Sequence, residues 1–443
     1  MADKILNKLE KAGYESYKVG GCVRDELLNR ANFDIDITTT AKPEEIKEVF
    51  KDYKTIDIGQ RFGTIKVLDG PKEYEITTMR RESAYLDKRH PEKIAFTKDI
   101  KEDLKRRDFT INAMAKRNGK VLDVFDGKKD LEEKTVRAVG DPKKRIKEDM
   151  LRSLRAVRFA ACLDFEIADD LVDAIRRNAG FITDISKERI QVEINKILLA
   201  DNPKRGIEIL DQVGLLEYVF PEVYATKGFD QHSSFHAEDL YQHTLSVLEK
   251  TPPILEVRMA ALYHDVGKID TFFLDENGEG RFFGHQSVSE KLLVDRLKEL
   301  KYSKKFIENT RLLVKRHMDN TNTYTKKSIR KLLRNIGEEN LLKLFKLQRA
   351  DVLSTKHNDD SNIDLGLKLL EEVKNDDIPT NKNQIKIDGN DLKDLGFKEG
   401  KELGQTLKLV ENLIYEEKLK NEKKDVINYI KSNILNVDWY TYM

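Results

Sequence analysis

The sequence predicts an α+β head followed by an all-helical body. Up to about Arg137, short β-prone runs alternate with short helical ones. From about Ile146, apolar residues recur at three- and four-residue spacing through Leu151, Leu154 and Val157, and again through Ile190, Ile194, Ile197 and Leu198. The length, 443 residues, asks for more than one compact unit, given about 100–200 residues per domain.

In the head, Tyr17-Lys18-Val19 leads into Gly20-Gly21, where missing side chains let the backbone turn tightly and let amide N–H groups approach an anion. A helix is expected over Val23 to Leu28, with Arg24 as a fork-shaped donor for a phosphate at its start. FDIDIT then reads as a strand that projects Asp34 and Asp36 from one face and sends Ile35 and Ile37 to the core. Two adjacent carboxylates suit Mg²⁺, which takes one or two carboxylates plus substrate phosphates. Further strands are expected at Thr64 to Leu68, Tyr74 to Thr78 and Val121 to Phe125. Glu75 is a candidate third acidic group, the alternative being a solvated strand edge.

In the body, turn-rich Phe220 to Ser234 separates two helical blocks, and Lys374 to Asp391 precedes a lysine-rich tail. Asp149 and Arg152, three apart on an expected helix, share a face. A carboxylate only accepts and a guanidinium only donates. Together they can accept the amino group and ring nitrogen that cytosine and adenine share, and reject uracil and guanine. The alternative is a surface ion pair worth little. Arg155 and Arg158 continue this basic stripe toward phosphate.

Composition narrows the classes. With 39% hydrophobic and 36% charged residues the chain can bury a core, and its net charge of +1 leaves any nucleic-acid contact to local patches. Cys22 and Cys162 are too few for a disulfide framework or zinc site and read as small buried hydrophobes. No apolar run approaches the ~18 residues of a membrane span, so a cytoplasmic protein without membrane contact is expected.

The order GGCVRD, FDID, GQRFGTI (Gly59 to Ile65), EDLKRRDFTINAMA (Glu102 to Ala115) and EDMLRSLRAVRFA (Glu148 to Ala160) resembles the class II tRNA nucleotidyltransferases. These are the CCA-adding enzymes and bacterial poly(A) polymerases of the DNA polymerase β-like superfamily. The resemblance implies a polymerase β-like head and template-independent addition of C, C and A to tRNA 3′ ends from CTP and ATP. It assigns Arg107, Asp108 and Asn112 to triphosphate, ribose or local scaffold, against the alternative of a solvated helix cap. The charged stretch Arg81 to Phe96 is similar to the loop of enzymes that switch from C to A addition. An A-adding enzyme or a poly(A) polymerase stays open, as does, from another class, a phosphohydrolase whose head binds nucleotides or RNA.

Six of the eight histidines fall between His232 and His317. The sequence ALYHDVGK and its surroundings resemble the HD phosphohydrolases, whose pattern maps onto His243, His264, Asp265, His285, His317 and Asp351. Such a set implies a two-metal site for Mn, Ni, Co, Fe or Zn, with Lys268 toward phosphate; a structural remnant is the alternative. His232, His236 and His357 read as surface or packing residues. The expected division is a nucleotidyltransferase head over 1–137, a helical neck for base selection and RNA binding over 138–225, an HD domain over 226–373 and a tRNA-binding tail over 374–443. In the tail, Lys418, Lys420, Lys423 and Lys424 could track phosphates or form a solvated face.

Overall fold

Alternating apolar and polar residues build a head sheet with one greasy face and one chemical face. The computed structural model describes residues 2–31, 35–59, 63–82, 94–232, 239–356, 358–376, 379, 384–415 and 418–435. Asp34, residues 83–93 of the expected switching loop, His236 and His357 lie outside them. The chain forms two compact units, Met1–Ala225 with Glu299–Tyr302, and Thr226–Lys298 with Ser303–Met443.

In the first unit, the strands are β1 (Ser16–Val19), β2 (Ile35–Thr39), β3 (Lys54–Gly59), β4 (Thr64–Asp69), β5 (Lys72–Thr78), the separate pair β6 (Arg80–Glu82) and β7 (Ile94–Phe96), then β8 (Met114–Arg117) and β9 (Lys120–Asp123). The seven-stranded sheet runs β3-β4-β5-β2-β1-β8-β9, with β2 and β5 parallel. Helices α1 (Ala2–Lys11) and α3 (Pro43–Val49) cover one face, packing Ile5, Leu9 and Ile46 against Ile37, Ile65, Tyr74 and Ile76. Period 2 turns Asp36 and Glu75 to the other face, side by side in register. Helix α2 (Gly21–Leu27) begins two residues before the expected start. Leu104 of α4 (Ile100–Lys105) packs on Val19 and Ala115, and α5 (Gly127–Glu132) follows β9.

The neck starts at α6 (Pro142–Glu148), where Pro142 takes a position needing no N–H bond and the Asp141 carboxylate caps Lys143 N. It continues through α7 (Leu151–Leu163), α8 (Asp169–Arg176) and α9 (Lys187–Leu198), with the apolar stripes of α7 and α9 packed together. The body is mostly rather than wholly helical. Thr135–Val136 pairs in parallel with Glu166–Ile167, and Phe273–Leu274 forms a hairpin with Gly280–Arg281. Cys22 is buried as expected, but Cys162 is only partly so, because α7 leaves it at a pocket edge.

Among the described residues the second unit is otherwise helical. Its C-terminal part closes a core around Leu392, Val410, Ile414, Val426 and Ile430. Lys418, Lys420, Lys423 and Lys424 are exposed there, with Lys423 ion-paired to Asp391. Among the described residues no helix is long and apolar enough to cross a membrane.

Candidate active site

One cleft of about 730 Å³ in the first unit gathers the described head and neck residues singled out in the sequence. Gly20, Gly21, Arg24, Asp36, Arg107, Asp108, Asn112, Asp149, Arg152, Arg155 and Arg158 all line it, and Glu75 joins them. Its lining holds eight cationic side chains against five carboxylates, so a nearly neutral chain concentrates positive charge here.

Gly20 has φ +76° and ψ −140°, and a Cβ there would stand 2.9 Å from Arg107 Nη1 and 3.3 Å from Asp36 Oδ2. Backbone conformation therefore disfavours any side chain here, and a Cβ would push aside the tips of Arg107 and Asp36. Arg24, buried, donates to Asn112 Oδ1 at 2.7 Å and to Asp25 Oδ1 at 2.8 Å.

Asp108 is no solvated cap. Burial disfavours its charge, but Arg155, donating from Nε to Oδ2 at 2.7 Å, prevails and holds the carboxyl at about 2. Phe109 N also donates to Asp108, at 2.9 Å. Arg158 meets Glu193 Oε2 at 3.2 Å, and burial lowers its pKa. The guanidinium groups of Arg24, Arg155 and Arg158 stand 5.0, 5.6 and 4.3 Å from the ring centre of Phe159. Arg155 and Arg158 thus enter the cleft already engaged with carboxylates, which a bare basic stripe did not imply.

The expected placement of Asp149 is corrected. With φ −152° and ψ 104° it leaves the helix, separating α6 from α7, so it does not share a helical face with Arg152. Its Oδ1 accepts from Leu151 N at 3.1 Å, and its Oδ2 from Arg189 Nη2 at 2.7 Å. Arg152, buried, donates to Glu148 Oε2 at 2.6 Å and to the Arg145 carbonyl at 3.0 Å.

Sequence reasoning missed Arg189, Glu193, Glu148 and Asp103. Asp103, wholly buried, accepts from Arg106 Nε at 3.0 Å and sits 3.6 Å from Arg107 Nη2. Burial would raise its pKa, but the two arginines hold it below the usual range. Its i,i+3 and i,i+4 spacing to those arginines was a usable signal; Arg189 and Glu193, arriving from α9, left none.

The second unit holds a separate cluster. His243 lies in the helix Leu240–Lys250, His264 and Asp265 just past Leu255–Tyr263, His285 at the start of His285–Glu299, His317 just past Lys304–Arg316, and Asp351 near the end of Lys326–Val352. All six converge. Asp265 Oδ2 is 3.3 Å from His264 Nε2 and 3.8 Å from His243 Nε2, while its Oδ1 is 3.2 Å from His285 Nε2 and 3.5 Å from His317 Nε2. Asp351 Oδ1 is 3.2 Å from His243 Nε2.

The Nδ1–H groups of His264, His285 and His317 donate to the carbonyls of Ala261, Phe282 and Val314. This leaves each Nε2 as the inward donor atom. His264 Nε2 is buried against Asp265 Oδ2 and makes no well-aligned hydrogen bond among the described residues. Burial disfavours a charged His264, yet Asp265 and Asp351 raise its pKa to about 9. Two overlapping triples could each hold a metal ion, His243 with His264 and Asp265, and Asp265 with His285 and His317; imidazole nitrogens suit divalent transition metals. Lys268 Nζ lies 2.7 Å from Asp265 Oδ2. His232 is on the surface, stacked on Phe272.

The pattern of the poly A polymerase head domain matches residues 16–137. Patterns for an RNA- and SrmB-binding site of polymerase A and for the second domain of tRNA nucleotidyltransferases match 164–226 and 282–430. The chain is 34% identical to the CCA-adding enzyme of Streptococcus thermophilus over 430 residues, covering 97% of this chain and 95% of that one. It is 49% identical to the Limosilactobacillus reuteri CCA-adding enzyme over 218 residues, covering 49% of this chain and 54% of that one. Among solved structures, the Bacillus stearothermophilus CCA-adding enzyme in complex with CTP matches with a TM-score of 0.76 and 26% identity, covering 97% of this chain and 96% of that one.

Proposed function

The chain belongs to the family of CCA-adding enzymes, which are tRNA nucleotidyltransferases, and from that premise we propose that it adds C, C and A in turn to tRNA 3′ ends from CTP and ATP. The observation that carries this reading is the single cleft that brings Asp36, Arg107, Asp108, Asn112, Asp149 and Arg152 together.

In the proposed reaction the terminal ribose oxygen forms a bond to the α-phosphorus, the bond to the β-phosphate oxygen breaks, and pyrophosphate leaves as the hydroxyl proton is lost. Asp36 and Asp34, with Glu75 beside Asp36, offer only oxygen donors, which fits Mg²⁺. When bound, that ion supplies charge stabilisation at the attacking and leaving oxygens. Arg24 and Arg107 face the triphosphate, and Asp108 and Asn112 hold the arginines and ribose. Asp149 accepts the amino group shared by cytosine and adenine; Arg152 donates to the neighbouring ring nitrogen. Since a carboxylate has about four lone-pair sites, Asp149 can serve both Arg189 and a base.

The division into head, neck, HD domain and tail belongs to this proposal, and the boundary between compact units at Ala225/Thr226 supports one of its cuts. The exposed tail lysines would hold tRNA by backbone contacts without base information.

Primer extension with Mg²⁺ tests the reading, using tRNA transcripts ending before C, after C-C, or in an unrelated sequence. The expected result is C-C-A and then a stop. Addition of A alone to the C-C end would make this an A-adding enzyme, and long A tails on unrelated RNA a poly(A) polymerase.

A second activity is favoured by the His/Asp convergence. We propose that the second unit is a metal-dependent phosphohydrolase of the HD type, with His243, His264, Asp265, His285, His317 and Asp351 holding the ions and Lys268 facing the phosphate. When bound, the metals supply Lewis-acid activation of a phosphoester and of water.

A further inference from the structure

Gln231 lies in the turn-rich segment ahead of the second helical block and is 2% exposed. The segment is seated by the hairpin Phe273–Leu274/Gly280–Arg281. Gly280 N donates to the His232 carbonyl at 2.8 Å, and a Cβ at Gly280 would come within 2.1 Å of the Gln231 carbonyl oxygen. Only glycine allows this approach, so the position of Gln231 is fixed by backbone packing.

The amide orientation is fixed as well. Lys268 Nζ donates to Gln231 Oε1 at 2.8 Å. An ammonium has no acceptor, so the atom facing Lys268 must be the amide oxygen, and Nε2 is the remaining donor. Nε2 is buried and has no hydrogen-bond partner among the described residues. Buried N–H groups without an acceptor are rare in native proteins. Lys268 spans from this amide to Asp265 Oδ2, 2.7 Å away, so a single ammonium links Gln231 to the carboxylate that joins both histidine pairs. Nothing in nucleotide transfer at the head uses this group.

We propose that Gln231 Nε2 is a phosphate-binding donor of the His/Asp centre, directing its N–H to a non-bridging phosphoryl oxygen beside Lys268. The proposal rests on the phosphohydrolase reading of that centre. Gln231 thereby has two faces: an acceptor that orients Lys268 and a donor that touches the ligand.

The test uses the full-length protein with Mn²⁺, its metal content measured by elemental analysis, and inorganic phosphate titrated calorimetrically, each read as the difference from His264→Ala so that binding in the nucleotide cleft cancels. Gln231→Met keeps the volume without polar atoms; Gln231→Glu keeps an acceptor for Lys268 but removes the N–H. Both variants are expected to retain wild-type Mn²⁺ content and to bind phosphate at least about tenfold more weakly, the size of a lost hydrogen bond to a charged group. Wild-type phosphate affinity in Gln231→Glu would reduce the residue to a support for Lys268 and overturn the proposal. So would loss of Mn²⁺ in both variants, which would make it structural. A wild-type protein that takes up no Mn²⁺ would overturn the phosphohydrolase reading and this inference with it. Uptake of Mn²⁺ with no phosphate binding, or with equal binding in all three proteins, would overturn this inference alone.

Discussion

Arg189 donates to Asp149 Oδ2 at 2.7 Å across forty residues of sequence, so the carboxylate proposed to read the base is held by α9 rather than by Arg152. Hydrogen bonds to charged groups contribute about 1.5–3 kcal/mol. Arg189→Ala is therefore expected to slow CTP and ATP addition about tenfold or more and to raise incorporation of UTP and GTP. Single-turnover assays with each nucleotide check this; unchanged discrimination would mean that the cap on Leu151 N suffices to orient Asp149.

Gly20→Ala should damage the head. Its backbone conformation is nearly confined to glycine, with a cost of about 1–3 kcal/mol, and the new methyl group would displace Arg107 or Asp36. Thermal unfolding should show a lower Tm, and primer extension a larger loss than the Tm alone explains.

Asp36→Asn is expected to abolish transfer with the fold intact. Glu75→Gln, its in-register neighbour, should lower kcat about tenfold and raise the Mg²⁺ concentration needed for half-maximal rate. A Glu75→Gln enzyme with unchanged Mg²⁺ dependence would return this residue to a solvated strand edge.

Asp108 gives a pH signature. Its folded pKa of about 2 lies below the unfolded value of about 3.9. Its contribution, about 2 kcal/mol, is complete above pH 4 and is lost as pH falls through 2. Chemical denaturation of wild type and Asp108→Asn should therefore differ most near neutrality and converge toward pH 2.

His264→Ala should remove metal-dependent hydrolysis of 2′,3′-cyclic nucleotides and lower bound metal, while leaving C-C-A addition within a few-fold of wild type. Absence of hydrolysis by the wild type with each of Mn²⁺, Ni²⁺, Co²⁺ and Zn²⁺ would end the hydrolase reading.

The features legible in the sequence were those fixed by short-range rules. Period 2 on β2 presents Asp36, and Gly20 marks the turn because its backbone geometry is nearly confined to glycine. The break at Asp149 was hidden, because the apolar spacing continues smoothly from Ile146 to Leu154. What interrupts the helix is a side-chain oxygen competing for Leu151 N, the habit of aspartate at helix starts. The burial of Asp108 was equally hidden, since Arg155 lies forty-seven positions downstream. The order of His and Asp residues could suggest a metal centre, but only the packed helices bring Asp351 to His243.

Asp265 presents one oxygen to His243 and His264 and the other to His285 and His317. The two halves of that centre are therefore inherited as one trait. A single-nucleotide change in the codon, replacing this aspartate by asparagine, would weaken both halves together, while the nucleotide cleft, built from other residues in the other unit, would pass unchanged to the next generation.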